Sequence, residues 1–174
     1  NGTVETFDYD PGNANKNINI DEHGKIVSIS SNNPLYALHE DGYVDNIAEN
    51  NKLSDTSEWH NIVQISPIFN FHTNVALRSD GKLIHGNLSN GYNEEESDKW
   101  LSDISSWENI VSFDYCYSRF GAGGLMDAAF VAVDSNGFVH IASYDVEGVG
   151  IRGIETVENF QNVKEIDIEI NSDY

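Results

Sequence analysis

Val75-Ala76-Leu77-Arg78-Ser79-Asp80-Gly81-Lys82-Leu83-Ile84 reads as a β-hairpin. An apolar run leads into Asp-Gly and a second apolar run leads out, and that dipeptide tolerates the positive φ a tight hairpin turn demands. The pattern recurs in Leu35-Tyr36-Ala37-Leu38-His39-Glu40-Asp41-Gly42-Tyr43-Val44 and in Phe130-Val131-Ala132-Val133-Asp134-Ser135-Asn136-Gly137-Phe138-Val139. Asn1-Gly2-Thr3-Val4 is a further copy that begins at the turn itself. Such self-similarity comes before any local reading, because a missed repeat misassigns the whole fold.

A second element recurs upstream of the hairpins. It reads Lys25-Ile26-Val27-Ser28-Ile29, Asn61-Ile62-Val63-Gln64-Ile65, Asn109-Ile110-Val111-Ser112-Phe113 and Asn162-Val163-Lys164-Glu165-Ile166, apolar at its second and fifth positions throughout. Trp59 and Trp107 stand in the same register ahead of two copies, which marks them for packing between units. The turn glycines Gly2, Gly42, Gly81 and Gly137 recur at roughly 40 residues, with an insertion before the last, which is the size of a propeller blade or a similar β unit. A lone sheet of this size cannot bury both faces, so neighbouring units must stack. β-Branched residues flank the turns and no stretch sustains a 3.6-residue period. The expectation is all-β: a β-propeller, or a fragment of one, with about three to four antiparallel blades. The chain then divides, as a single repeat domain, into a partial blade over 1–24, blades over 25–60, 61–108 and 109–161, and a partial blade over 162–174.

The second unit carries the most specific signature. Phe71-His72-Thr73-Asn74-Val75-Ala76-Leu77-Arg78-Ser79-Asp80-Gly81-Lys82-Leu83, followed by Gly86-Asn87-Leu88-Ser89-Asn90-Gly91, resembles the regulator of chromosome condensation repeat. The shared landmarks are His-Thr, Ala-Leu, Asp-Gly and Gly-x-Asn-x-x-Gly; units one and three keep the hairpin but lack the first and last of these. The resemblance implies a propeller, usually of about seven blades, that binds other proteins. Members include an exchange factor for a small GTPase and bacterial inhibitors of β-lactamases. The matched residues are structural landmarks, so neither activity carries over. At 174 residues the chain is short for such a ring. It suits a fragment of a longer propeller best, ahead of a small closed ring or a half-ring completed by self-association.

Charge narrows the partners. The 29 acidic residues against 9 basic give a net charge of −20, which opposes phosphate backbones and favours basic partners, cations or plain solubility. Nucleic acid is therefore not expected as a partner. No apolar run is long enough for a membrane helix, so no membrane insertion is expected. Cys116 is the only cysteine, which excludes an intramolecular disulfide. An extracellular or cell-surface protein of bacterial type is expected, with the cytoplasm as the alternative. The sequons at Asn1-Gly2-Thr3 and Asn87-Leu88-Ser89 add little in a chain rich in Asn.

No catalytic constellation emerges. His39, His85 and His140 sit near hairpins at loosely comparable places, so repetition accounts for them, and His72 occupies a landmark position. An acid/base pairing of Asp114 with His72 has no local support. Cys116 lacks a neighbouring base and reads as a buried thiol. Gly121-Ala122-Gly123-Gly124 lacks the Lys-Ser/Thr ending of a phosphate-cradling loop and reads as a flexible insertion. The oxygen-rich stretch from Asp8 to Asn19 lacks the order of a calcium-binding loop, and whether calcium binds there stays open. Glu94-Glu95-Glu96 with Asp98 reads as a solvated loop. No cofactor or resident metal is expected.

The candidate binding residues are aromatic. Phe69 and Phe71 in unit two, and Tyr115, Tyr117, Arg119 and Phe120 in unit three, lie between the first strand and the hairpin. In stacked units those segments emerge on one rim, and aromatics with Arg dominate interface energetics. The same residues can instead pack between blades. Tyr92 and Trp100, after Gly91, form a second candidate. The function expected is a non-catalytic protein-binding scaffold, part of a larger secreted or surface protein. The alternative is a carbohydrate-binding module, with sugars stacked on loop aromatics; a hydrolytic enzyme ranks last.

Overall fold

The computed structural model describes residues 25–29, 36–46, 59–68, 73–86, 94–120, 125–144 and 160–168. They are mostly β-strand, in three small antiparallel sheets with one helix. The first sheet comprises β1 (Ile26–Ile29), β2 (Tyr36–His39) and β3 (Val44–Asn46). The second comprises β4 (Ile62–Ile68), β5 (Thr73–Arg78) and β6 (Leu83–His85), followed by helix α1 (Glu94–Ser105). The third comprises β7 (Ile110–Phe120), β8 (Leu125–Asp134) and β9 (Val139–Tyr144). Each sheet runs in sequence order with its hairpin strand in the middle.

The hairpin turns repeat in backbone detail. Gly42, Gly81 and Gly137 take φ of 81°, 81° and 83°, the left-handed conformation that glycine adopts without steric cost. Each glycine N–H donates to the carbonyl at the turn's start: His39, Arg78 and Asp134 respectively. A carboxylate secures each turn as well, from Asp41 to Tyr43 N, from Asp80 to Lys82 N, and from Asp134 to both Asn136 N and Phe138 N. Asp and Asn side chains favour such bonds to backbone just ahead of them.

The first strand of each unit explains its own pattern. Pairing skips a residue between Ile26 and Ser28, between Ile62 and Gln64, and between Ile110 and Ser112. A β-bulge therefore expels Val27, Val63 and Val111, which are 56%, 55% and 49% exposed. With that extra residue absorbed, Ile62 and Ile65 fall on one face despite a spacing that a flat strand would split. Ile110 and Phe113 do the same, and both pairs are buried.

Successive sheets stack through a common junction. The Gly42 carbonyl accepts from Ile62 N at 3.1 Å, that of Gly81 from Ile110 N at 2.9 Å, and that of Gly137 from Val163 N at 3.3 Å. Asn61, Asn109 and Asn162, just ahead of those donors, take φ of 60°, 60° and 61°. Asn is among the few residues that enter the left-handed region readily. Two bonds per unit result: the Asn61 and Asn109 carbonyls also accept from Ser79 N and Ser135 N of their own hairpins. Lys25 does the same for Glu40 in unit one. A Cβ on Gly81 or Gly137 would lie 2.8 Å from the Cα of Asn109 or Asn162, so the close approach admits only glycine.

Two core layers fill the gaps between sheets. Between the first and second lie Tyr36, Leu38, Val44, Trp59, Ile62, Ile65 and Ala76. Between the second and third lie Val75, Leu77, Leu83, Ile110, Phe113, Phe130 and Ala132, together with Trp100, Leu101 and Ile104 of α1. Strand alternation divides β5 between them: Ala76 faces back and its neighbours Val75 and Leu77 face forward. Trp59 and Trp107 both pack in these layers, as their shared register implies; Trp107 lies 6.1 Å from Phe130 and 5.4 Å from His140, ring to ring.

Helix α1 is a departure from the sequence reading, which makes Glu94–Asp98 a solvated loop and finds no helical period. Its apolar stripe is only Trp100, Leu101 and Ile104, too brief to register as a sustained period, yet all three are buried. The three sheets share no strand ladder.

Candidate binding face

The third sheet carries the longest strands. β7 runs for 11 residues and β8 for 10, against 7 and 6 for β4 and β5. Regular pairing continues to Arg119 opposite Met126 and Phe120 opposite Leu125, which makes this hairpin a long arm. Tyr115, Tyr117, Arg119 and Phe120 lie on this strand, not in an irregular loop between strands as the sequence suggests. The side chains of Tyr117, Arg119 and Phe120 lie outside the described residues, as do Phe69, Phe71 and Tyr92 altogether. Gly121–Gly124, the expected insertion loop, and the oxygen-rich stretch from Asp8 to Asn19 lie outside them too.

Two candidates are placed in the core. Trp100 is 3% exposed on α1, and its Nε1–H donates to the Ala142 carbonyl at 3.0 Å. Its ring meets Phe130 and Tyr115 edge-on, with centroids 6.2 and 6.3 Å away. A sugar or protein partner has no access to that indole. Tyr115 is half-buried against the same layer, so it packs between units, the alternative use of these aromatics.

The polar groups around β7 tie one unit to the next. Gln64 Nε2 donates to the Phe113 carbonyl at 2.6 Å, from β4 to β7. Ser112 Oγ accepts from Ile166 N at 3.5 Å, from β7 to the segment beyond. Asp114 accepts from Ile168 N at 2.6 Å and from Tyr115 N at 2.8 Å. Burial pushes the Asp114 carboxyl above its ordinary value and Asp167 adds to the rise, although the two N–H donors draw it back. Both Asp114 oxygens are thus engaged in holding backbone. Its suggested partner His72 lies outside the described residues.

The histidines do not repeat. His39 lies in β2 ahead of its turn; His85 pairs with Val75; His140 pairs with Ala132, whose counterpart Ala76 pairs with Ile84. Repetition therefore does not account for them. His140 Nε2 lies 3.3 Å from Asp134 Oδ2. Burial opposes ionisation of Asp134, but the Phe138 and Asn136 N–H groups and His140 together hold its carboxyl below the ordinary range. The same carboxylate fixes the turn, so this Asp-His pair is a structural clasp. Cys116 is buried, and burial pushes its thiol up to about 11, with Asp114 adding to the rise against the Ala129 N–H. It stays protonated at neutral pH and withholds the reactive thiolate.

Among the described residues no three His, Cys, Asp or Glu side chains converge for a metal, and no helix is long and apolar enough to cross a membrane. Asn74 is the residue that sequence reasoning misses. It is fully buried in β5, and neither its amide oxygen nor its nitrogen has a hydrogen-bond partner among the described residues. Its counterpart in the third unit is Phe130, which fills the second core layer. Only the alignment of the hairpins signals the exchange of an aromatic for an amide.

No family model, no curated protein and no solved structure matches this chain.

Proposed function

We propose that the chain is a protein-binding scaffold of propeller type, in which the stacked sheets are successive blades and the β7–β8 arm is the recognition element. The observation that carries the reading is the repeated junction: turn glycine against left-handed Asn, at Gly42–Asn61, Gly81–Asn109 and Gly137–Asn162. Units joined by one recurring contact propagate by a fixed rotation, as blades do. The likeness of Phe71–Gly91 to the regulator of chromosome condensation repeat supports the same architecture. The arm supports the site. It is the longest hairpin among the described residues, and it carries Tyr117, Arg119 and Phe120. Aromatic and Arg side chains are the types that dominate interface energetics. The net charge of −20 favours a partner with a basic surface, and a secreted or cell-surface setting suits such a scaffold.

The test is an interaction screen with the chain as bait, followed by Tyr117→Ala and Arg119→Ala in the captured complex. Affinity is expected to fall at least ~10-fold in each, about 1.4 kcal/mol. Unchanged affinity in both variants rejects the arm as the recognition element.

A further inference from the structure

Residues 160–168 are seated on the third sheet through their backbone N–H groups. Val163 N donates to the Gly137 carbonyl at 3.3 Å, Ile166 N to Ser112 Oγ at 3.5 Å and Ile168 N to Asp114 Oδ2 at 2.6 Å. The last is much the shortest, so the seat hangs chiefly on one carboxyl. Counting on from the left-handed Asn of each unit puts Ser66, Asp114 and Asp167 at the same place. At the second junction the counterpart of Asp114 is thus a hydroxyl, and the side-chain link there is neutral, from Gln64 Nε2 to the Phe113 carbonyl. At the third junction Asp114 meets Asp167 instead. The two carboxyls lie close enough to share a hydrogen bond, and their charges repel. Around them stand the Tyr115 and Ile168 N–H donors and, two residues along β7, the protonated Cys116 thiol. Lys164 and Glu165 are exposed, and no basic side chain among the described residues acts on Asp114.

We propose that Asp114 and Asp167 form a proton-operated latch, which closes residues 160–168 onto the third sheet when one proton bridges the two carboxyls and loosens them when both are ionised. The bridging proton turns repulsion between like charges into a hydrogen bond. Asp114 can still accept from Ile168 N and Tyr115 N in that state. Burial and then Asp167 favour the proton, against the pull of the two N–H donors, so the folded carboxyl of Asp114 lies above 3.8. The latch is therefore fully closed below 3.8 and weakens as pH rises through the folded value. The second junction has no such pair and is indifferent to pH over the same range. None of the arm residues takes part.

Amide exchange in the whole chain, corrected for its intrinsic dependence on pH, compares the two junctions. Protection of Ile166 and Ile168 is expected to rise at least ~3-fold as pH falls from about 7 to about 4, while that of Ile110 changes less than ~1.5-fold. Asp167→Asn should hold Ile168 near its acid level throughout. In that variant the carboxyl carbon of Asp114 should also titrate closer to 3.8. Protection of Ile168 that is flat with pH, that follows Ile110 in step, or that keeps its slope in Asp167→Asn overturns the latch.

Discussion

The two junctions between sheets share a backbone and differ in filling. Both seat a turn glycine on a left-handed Asn and both close with a hydrogen bond near 3 Å, 3.1 Å for Ile62 N to Gly42 O and 2.9 Å for Ile110 N to Gly81 O. The second junction is lined mostly by apolar side chains and thickened by α1, with Phe130 stacked on Phe113 at 4.9 Å. The first has Asn74 where the second has Phe130, and the amide is buried without a partner among the described residues. The backbone contact thus sets the placement of the units, and the side chains between them are free to diverge. Divergence has been uneven: one junction has gained a helix and the other tolerates an orphan polar group.

The largest effect is expected where that filling is densest. Trp100→Ala removes the indole that joins α1 to Ala142, Phe130 and Tyr115, and should cost about 4 kcal/mol in denaturant unfolding. A loss below ~1 kcal/mol would mean that α1 is an ornament on the second junction. Next comes the shared element. Gly81→Ala brings a Cβ to 2.8 Å from Asn109 Cα at a φ of 81°, and should cost about 3 kcal/mol. Gly42→Ala should cost a similar amount, because its Cβ would lie 2.9 Å from Asn61 Cα. Unequal costs would show that the two junctions differ in backbone as well as in filling.

A gain is expected at the first junction. Asn74→Leu replaces an unsatisfied amide with an apolar side chain of similar size and should stabilise by about 1 to 2 kcal/mol. Destabilisation of that size would show that the amide has a partner in the working protein. The smallest effect concerns pH. Burial holds the folded carboxyl of Asp114 above 3.8, so the folded chain binds this proton more tightly than the unfolded chain. Its contribution is fully present below 3.8 and is lost as pH rises through the folded value. Asp114→Asn keeps an acceptor for Ile168 N and removes the charge. Its thermal midpoint should therefore exceed the parent's at neutral pH and converge with it in acid.

The hairpins and first strands are legible in the sequence because each depends on local chemistry. Asp-Gly and Asn-Gly declare the turns, and the apolar second and fifth positions declare a buried face. The bulge and the left-handed Asn are written there too, in the Asn-Ile-Val triplets of units two and three, but their meaning emerges only with the register. Other features depend on what lies across a gap. Nothing near Trp100 in sequence says that Ala142 will accept its N–H, and the helical stripe around it is too short to stand out from the acidic run before it. The same holds for the arm, since Tyr115–Phe120 reads as a loop until its partners from Leu125 to Phe130 are known. Asn74 is the extreme case: its burial without partners is a property of the junction, invisible in β5 alone.

Amide hydrogen exchange at Ile62 and Ile110 tests the shared junction most directly, because each N–H reports one bond between sheets. The account predicts protection comparable to the ladder amides of Ala76 and Val131, with that of Ile110 lost selectively on Gly81→Ala. Exchange of both amides near the unprotected rate, while the ladders stay protected, would contradict it.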